Sequence, residues 1–396
     1  MLRKVALPKA EDAVRSIESL RLGLCCTFSD QPIKFRTTTV AALLRLSRPD
    51  ALNKLSTLCL ANADALQDAL QFCADHGIGC FRILSQILPI KTHSVCGYAI
   101  EALPDGDEIV RRFRACGTLA REHSIRTSFH PDQFVVLNSL RPDVVDRSIE
   151  ELVYQAEVAE WVGADVLNIH AGAANGDKPA ALQRLAQSLE RLPDAVRTRL
   201  TIENDDVTYT PSDILPLCRS EGIPLVYDVH HHRCHSDGLS IEEATRLSMA
   251  TWNREPMFHL SSPLEGWAGP KANRHHDFID IADFPECWRE LPITIEVEAK
   301  AKELAVLKLR KQLAEQWMVY ILLCADGSLY TGITNHLARR IKQHDAGTAS
   351  RYTRSRLPVK LVYWETQAHG SAALKRELAI KALHRNAKIA LIRSLR

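Results

Sequence analysis

The stretch PLVYDVHHHRC (224–234) sets four residues of strand-forming, apolar character before an aspartate and three consecutive histidines. Gly222 and Pro224 punctuate its start, and the run that follows is short and β-prone, which predicts a buried parallel strand. Asp228 and His231 then fall where strand gives way to loop. In an α/β barrel that edge gathers the catalytic groups. A carboxylate beside an imidazole is also a ligand pair that Zn²⁺ or Mn²⁺ accepts. An exposed histidine-rich turn would carry the same letters, so the other strand ends decide.

Seven more β-rich runs alternate with helical stretches: RLGLCC (21–26), CFRIL (80–84), IRTSFH (125–130), ADVLNIH (164–170), RLTIEN (199–204), PMFHLS (256–261) and ITIEVEAK (293–300). Eight such runs predict an α/β fold, a (β/α)8 TIM barrel over residues 21–300. Between them, 142–162 has apolar residues at helical spacing, with Pro142 and Asp143 as start signals. The strand ends then repeat one theme. His93 lies in the loop after the second strand, and His130, His170 and Glu203 end the third, fourth and fifth. Asp228 and His231 follow the sixth. His259 ends the seventh, His275 lies in the loop beyond it, and Glu298 ends the eighth. A single terminal histidine is more often structural than a ligand, but seven strands ending in His, Asp or Glu converge on one barrel face. That predicts a polynuclear metal site, with His230 and His232 turned elsewhere. Nine N/O ligands without a thiolate suit two or three divalent ions, Mn²⁺ preferred and Zn²⁺ second. Clustered ions that activate water and clamp oxygens are the machinery of phosphodiester hydrolysis.

Composition sets the frame. The 396 residues are long enough for two domains, 46% are hydrophobic, and the eleven cysteines include no CxxC pair. No apolar run is long enough to span a bilayer and the N-terminus lacks a signal-peptide core, so a soluble cytoplasmic protein without a membrane partner is expected. The net charge of +2 hides an asymmetry: residues 316–396 carry 14 Lys/Arg against 4 Asp/Glu. A basic end on an acidic body implies a separate module that meets polyanions.

SFHPDQFVVLNS (128–139), LNIHAGAANGDK (167–178), LTIENDD (200–206), DVHHH (228–232) and EVEAKAKELAVLKL (296–309) together resemble UV damage endonucleases over roughly residues 18–310. The resemblance implies nicking 5′ of pyrimidine dimers and related lesions. It matches His93, His130, His170, Glu203, Asp228, His231, His259, His275 and Glu298 to metal ligands, with Glu203 also catalytic. It matches Gln133 to a residue that probes the distorted dinucleotide. Phe134, beside it, can stack on flipped bases. Three positions depart from the family: Phe134 stands where some relatives have tyrosine, and Leu24 where an aromatic is expected. Met257 stands where a carboxylated lysine bridges metals, which predicts a retained cluster of weaker affinity.

WMVYILLCADGSLYTGITNHLARRIKQHDAG (317–347) reads as strand, Asp-Gly turn, strand and amphipathic helix. With VYI (319–321) and YTG (330–332) as its two triplets, residues 316–396 resemble a GIY-YIG nuclease domain, a small α/β fold. The resemblance matches Tyr320, Tyr330, Arg340, His344 and Glu377 to its active site, with Glu377 the single Mg²⁺ ligand and Asn386 a looser match. A phenol can position or deprotonate the attacking water while Arg340 stabilises the phosphorane. Arg351, Arg354, Arg356 and Lys360 would hold phosphates without reading sequence.

The expected order is therefore an N-terminal extension (1–20), the barrel (21–300), a helical linker (301–315) acting as a semi-rigid spacer, and the second nuclease (316–396). The expected partner is double-stranded DNA carrying lesions, met by a monomer without a nucleotide cofactor. An abasic-site endonuclease of the endonuclease IV type is the nearer alternative. A sugar isomerase-like barrel with a DNA-targeting module is the more distant one, since it would need a lysine and fewer histidines.

Overall fold

The computed structural model describes residues 20–394 apart from 175, 290, 316, 368 and 369; the expected extension lies outside these except for Leu20. Two compact units divide the described chain, one running from Arg21 to Pro285 and resuming over Pro292–Leu307, the other carrying Lys308 onward.

The first unit is a closed, all-parallel barrel in sequential order: β1 (Arg21–Cys25), β2 (Cys80–Ile83), β3 (Arg126–Phe129), β4 (Val166–His170), β5 (Leu200–Glu203), β6 (Leu225–Asp228), β7 (Met257–Leu260) and β8 (Thr294–Val297). All eight expected strands are present, each trimmed by a residue or a few. Closure is by β1 on β8, where Leu24 pairs with Val297. Strands buried on both faces have no polar side to alternate with, which is why these runs read as nearly continuous apolar segments. Leu24 is fully buried here, a core residue of β1.

Helices α1 (Arg48–His76), α2 (Gly106–Glu122), α3 (Pro142–Val162), α4 (Lys178–Leu189) and α5 (Pro211–Glu221) follow the first five strands. Pro142 occupies the first turn of α3, where its missing N–H costs nothing, and Gly163 ends it at φ 74°. After β6 come α6 (Val229–Cys234) and α7 (Ile241–Met249), and after β8 comes α8 (Lys302–Glu315). Between β7 and β8 the described residues form only two short 3₁₀ turns, Ile281–Asp283 and Glu286–Trp288, in place of the expected helix. Nor is α8 a free spacer: Glu303 and Val306 in its first turns are fully buried. No described helix is long and apolar enough to cross a membrane.

The second unit centres on a three-stranded antiparallel sheet in the order β10-β9-β11. Its strands are β9 (Trp317–Cys324), β10 (Leu329–Thr334) and β11 (Val359–Gln367). Gly327 (φ 80°) turns the hairpin, as the Asp-Gly pair predicts. One sheet face buries Met318, Tyr320 and Leu322 against Leu337 and Ile341, which lie on α9 (Leu337–Asp345). The opposite face buries Val319 and Ile321 with Ala373 and Ile380. The short α10 (Arg351–Arg354) precedes β11, and α11 (Gly370–Ala382) and α12 (Arg385–Arg393) follow it.

Candidate active site

Glu203 ends β5 fully buried, and three histidines surround its carboxylate. The His130 Nε2 lies 3.0 Å from Oε2, His259 Nδ1 3.0 Å from Oε1, and His231 Nδ1 3.4 Å from Oε1. His170 Nε2 stands 4.0 Å from Oε2. Asn168, two residues before His170 and so on the same face of β4, donates to Oε2 at 2.5 Å, and is itself fixed by Thr201 at 2.9 Å. Burial would push the Glu203 carboxyl up. The imidazoles of His259 and His170 outweigh it, and the group titrates well below the usual carboxylate range.

The ring orientations have local causes. His130 Nδ1 faces the carbonyl of Pro131 at 3.1 Å and His231 Nδ1 that of Asn204 at 3.0 Å. A carbonyl can only accept, so each Nδ1 keeps its hydrogen; on His130 that leaves the Nε2 lone pair facing Glu203, the usual outer support of a ligating histidine, whereas on His231 it is Nδ1 itself that lies beside Glu203 Oε1. His259 is turned the other way: its Nε2 faces Arg82 and Glu296, both at 3.1 Å, and Nδ1 faces the cluster. Burial alone would lower His259, but the Glu203 carboxylate lifts it to about 10.

Asp228 answers the question raised by the histidine run. Its Oδ1 accepts from the His231 N–H at 2.8 Å, capping α6, while the buried Oδ2 has no hydrogen-bond partner. The helix sorts the three histidines by direction. His231 points into the cluster. His232 is held on the far side by Tyr227 (2.7 Å) and Asp237 (2.8 Å), and His230 packs 5.2 Å from the Trp267 ring.

Three groups converge closely enough to share an ion: His130–Glu203–His259, Glu203–Asp228–His231 and Asp228–His259–Glu298. Glu203, Asp228 and His259 each serve two of them. His275 borders the cluster, with Nδ1 3.8 Å from Glu298. His170 Nδ1 is buried without a partner. Buried acceptors left unpaired are costly unless a cation completes them, so the donor set and the orphaned Asp228 oxygen fit divalent metal.

His93 is placed differently. It lines a separate cavity of about 520 Å³ with Phe134, Arg147 and Glu151. Its Nδ1 accepts from the N–H groups of Val95 (3.1 Å) and Cys96 (3.2 Å), which puts the neutral ring's hydrogen on Nε2, opposite to His130 and His231. Met257 is buried among Cys80 and Val166 with Trp252 alongside, an apolar layer within the barrel. Gln133 and Phe134 are exposed on the loop after β3, Phe134 by 79%. Gln133 borders a cavity of about 410 Å³ that reaches His170 and His231.

Sequence reasoning missed Arg82 and Glu296. The Arg82 guanidinium bonds Glu296 and lies 2.6 Å from Glu298, and the Ser128 hydroxyl donates to Glu296. Burial would raise Glu296, but Arg82 and His259 hold it at about 2. The signals were legible: Glu296 shares the inward face of β8 with Glu298, and Arg82 is the charged residue of an otherwise apolar strand.

In the second unit, register brings the two triplets together: Gly332 pairs with Tyr320 and Tyr330 with Leu322. The Tyr320 hydroxyl meets His344 Nε2 at 2.8 Å, and Arg340 Nε donates to that phenol oxygen at 3.3 Å. His344 Nδ1 lies 2.8 Å from the Thr353 hydroxyl, which donates to the Ser350 carbonyl at 3.4 Å. The hydroxyl's hydrogen is thus engaged, Nδ1–H donates to it, and Nε2 accepts from Tyr320. Burial, then Arg340, lowers His344 to about 4; burial raises Tyr320 to about 12. The ring of Tyr330 lies 5.1 Å from His344. Glu377 is buried on α11 with Lys381 at 2.9 Å, and Asn386 is exposed on α12. Of the expected phosphate contacts, Arg351 and Lys360 are exposed. Arg354 bonds the Gly347 carbonyl, and Arg356 bonds Asp326 and covers the Tyr352 ring at 4.2 Å.

A closed barrel with buried carboxylates and imidazoles at the C-terminal ends of its strands defines a class of enzyme that uses divalent metals. Residues 20–323 match the family described as UV-endonuclease UvdE, and residues 316–390 the GIY-YIG catalytic domain. UV DNA damage endonucleases from Bacillus velezensis and Deinococcus radiodurans are 33% and 34% identical over 302 residues, each over 73% of this chain and 91% and 94% of their own. The crystal structure of SacUVDE superposes with a TM-score of 0.66 at 31% identity, over 74% of this chain and 98% of that one. The chain belongs to the UV-endonuclease family. It is a DNA endonuclease of repair, joined to a GIY-YIG nuclease domain.

Proposed function

We propose that the barrel centre nicks double-stranded DNA immediately 5′ of UV photoproducts, using two or three divalent ions with Mn²⁺ preferred over Zn²⁺, and that the C-terminal centre makes a second nick with Mg²⁺. The observation that carries the barrel reading is Glu203, whose two oxygens face different histidines while Asp228 keeps one buried oxygen free. Such a carboxylate suits a bridge between ions. Ions bound there would supply an activated water and charge compensation for the leaving oxygen. The chain's own part is to hold each imidazole in its ligating tautomer, His130 through the Pro131 carbonyl and His259 through the Glu296 carboxylate, and to exclude bulk water by burial.

In the C-terminal centre the phenol of Tyr320, its hydrogen held by His344 Nε2, presents its oxygen to position the attacking water, with Arg340 beside the developing charge. Glu377 would hold the Mg²⁺. The same reading makes the enzyme a cytoplasmic monomer without nucleotide cofactor, in keeping with eleven cysteines and no CxxC pair. The test is incision mapping on duplexes carrying one cyclobutane dimer, one abasic site or no lesion, after reconstitution with Mn²⁺ or Zn²⁺. A single cut 5′ of the dimer supports the proposal; cutting only at the abasic site moves the assignment to that substrate.

A further inference from the structure

Four non-glycine residues in the described chain have positive φ, and two of them, Cys26 (64°) and Lys302 (49°), line one cavity. It measures about 380 Å³ and is also bounded by Arg82, His275, Glu298 and Lys300, so it opens beside the metal-ligand cluster. Its two walls are fixed to one another. The buried Glu303 carboxylate accepts from the N–H groups of Ser29 and Asp30, both at 2.7 Å, tying the loop after β1 to the start of α8. The loop after β8 is held in turn by Lys300 N–H to the His276 carbonyl (3.1 Å) and Ala301 N–H to that of Asp277 (3.0 Å).

Lys302 combines two liabilities at one position. Left-handed backbone costs an L-residue on the order of 1 kcal/mol that glycine would not incur. The residue is half-buried, and among the described residues neither it nor the exposed Lys300 forms an ion pair; Glu298, the carboxylate lining the cavity, pairs with Arg82 instead. Arg82, the other cation of the cavity, is consumed by Glu296 and Glu298. A rigid, strained pocket that presents unpaired ammonium groups next to a metal cluster is built for an anion.

We infer that this cavity is a phosphate subsite: Lys302, assisted by Lys300, binds a backbone phosphate of the DNA strand adjoining the one cut at the metal centre. The inference rests on the proposed incision of DNA by the barrel. Lys302 is a binding residue in it, and any ion held by Asp228, His259 and Glu298 would offset the carboxylate charge that an anion would otherwise meet.

The test uses the full-length, Mn²⁺-loaded protein and a duplex carrying one cyclobutane dimer. Incision and binding by fluorescence anisotropy are both followed from about 50 to about 200 mM NaCl. Lys302→Gly removes the cation and relieves the backbone. It is expected to raise KM about tenfold, the loss of one charged hydrogen bond, with kcat within about twofold. The slope of log affinity on log salt should become shallower by about 0.9, and the melting temperature should not fall. Lys302→Arg should restore KM and slope. Unchanged KM and slope in Lys302→Gly, or equal loss in Lys302→Arg, would overturn the inference. So would inhibition of wild type by inorganic phosphate that vanishes in Lys302→Gly with DNA affinity intact, since free phosphate would then be the ligand. A wild type that binds with the Lys302-dependent slope but does not incise would sink the lesion assignment and leave the subsite standing.

Discussion

His344 shows how one buried side chain can fix the direction of a reaction. Thr353 holds its Nδ1 hydrogen and burial keeps the ring neutral, so Nε2 is an acceptor for the Tyr320 phenol. Because the folded ring titrates near 4 rather than 6.5, C-terminal cleavage should persist below pH 6 and be lost as pH falls through about 4. Stability follows the same sign: the unfolded chain takes up this proton below about 6.5 and the folded one near 4, so this histidine's contribution declines across that window. Mg²⁺-dependent cleavage of undamaged duplex against pH checks it, and half-loss near 6.5 would contradict the assigned tautomer. Met257 makes the complementary point. The resemblance sets it where the family has a metal-bridging lysine, and its side chain lies in an apolar layer with Cys80 and Val166. Met257→Lys should therefore cost about 3–5 kcal/mol of stability through an unpaired buried charge. Thermal melting with metal analysis decides; a stable variant that gains an ion would restore the bridging role.

At the level of elements, α6 shows a single residue serving fold and site together. Asp228 caps the six-residue helix with one oxygen and offers the other to the cluster. Asp228→Asn keeps a cap and loses the charge, so it should fold normally with weakened metal affinity. Asp228→Ala loses both and should be less stable by a further 1 kcal/mol or so. Equal melting temperatures for the two would show the cap to be idle. The strands and the histidines and carboxylates clustered at their ends were legible because a closed parallel barrel places every strand end on one rim, and a period of two aims the last inward residue at its centre. What lay hidden had other causes. The 3₁₀ turns after β7 carry no helical periodicity to find or refute, and β11 pairs with β9 from far along the chain. The tautomer of His93 depends on two amide groups that spacing does not reveal. Arg82 was overlooked because it is neither a ligand type nor near a motif, although a lone charge in a buried strand implies a partner.

Across the whole molecule, the two candidate centres sit in two separately compact units, each with its own core. No residue of either centre belongs to the other, so their chemistry should separate by mutation. The most direct measurement follows both cleavages in the full-length protein, on one duplex with a single cyclobutane dimer and on its undamaged twin. Glu203→Gln should abolish the cut 5′ of the dimer and leave the Mg²⁺-dependent activity within about twofold, since one uncharged oxygen no longer joins two ligand groups. Tyr320→Phe and Glu377→Ala should do the reverse. Loss of both activities in either class of variant would contradict two independent centres, and a dimer cut that survives Glu203→Gln would remove the barrel cluster from the reaction.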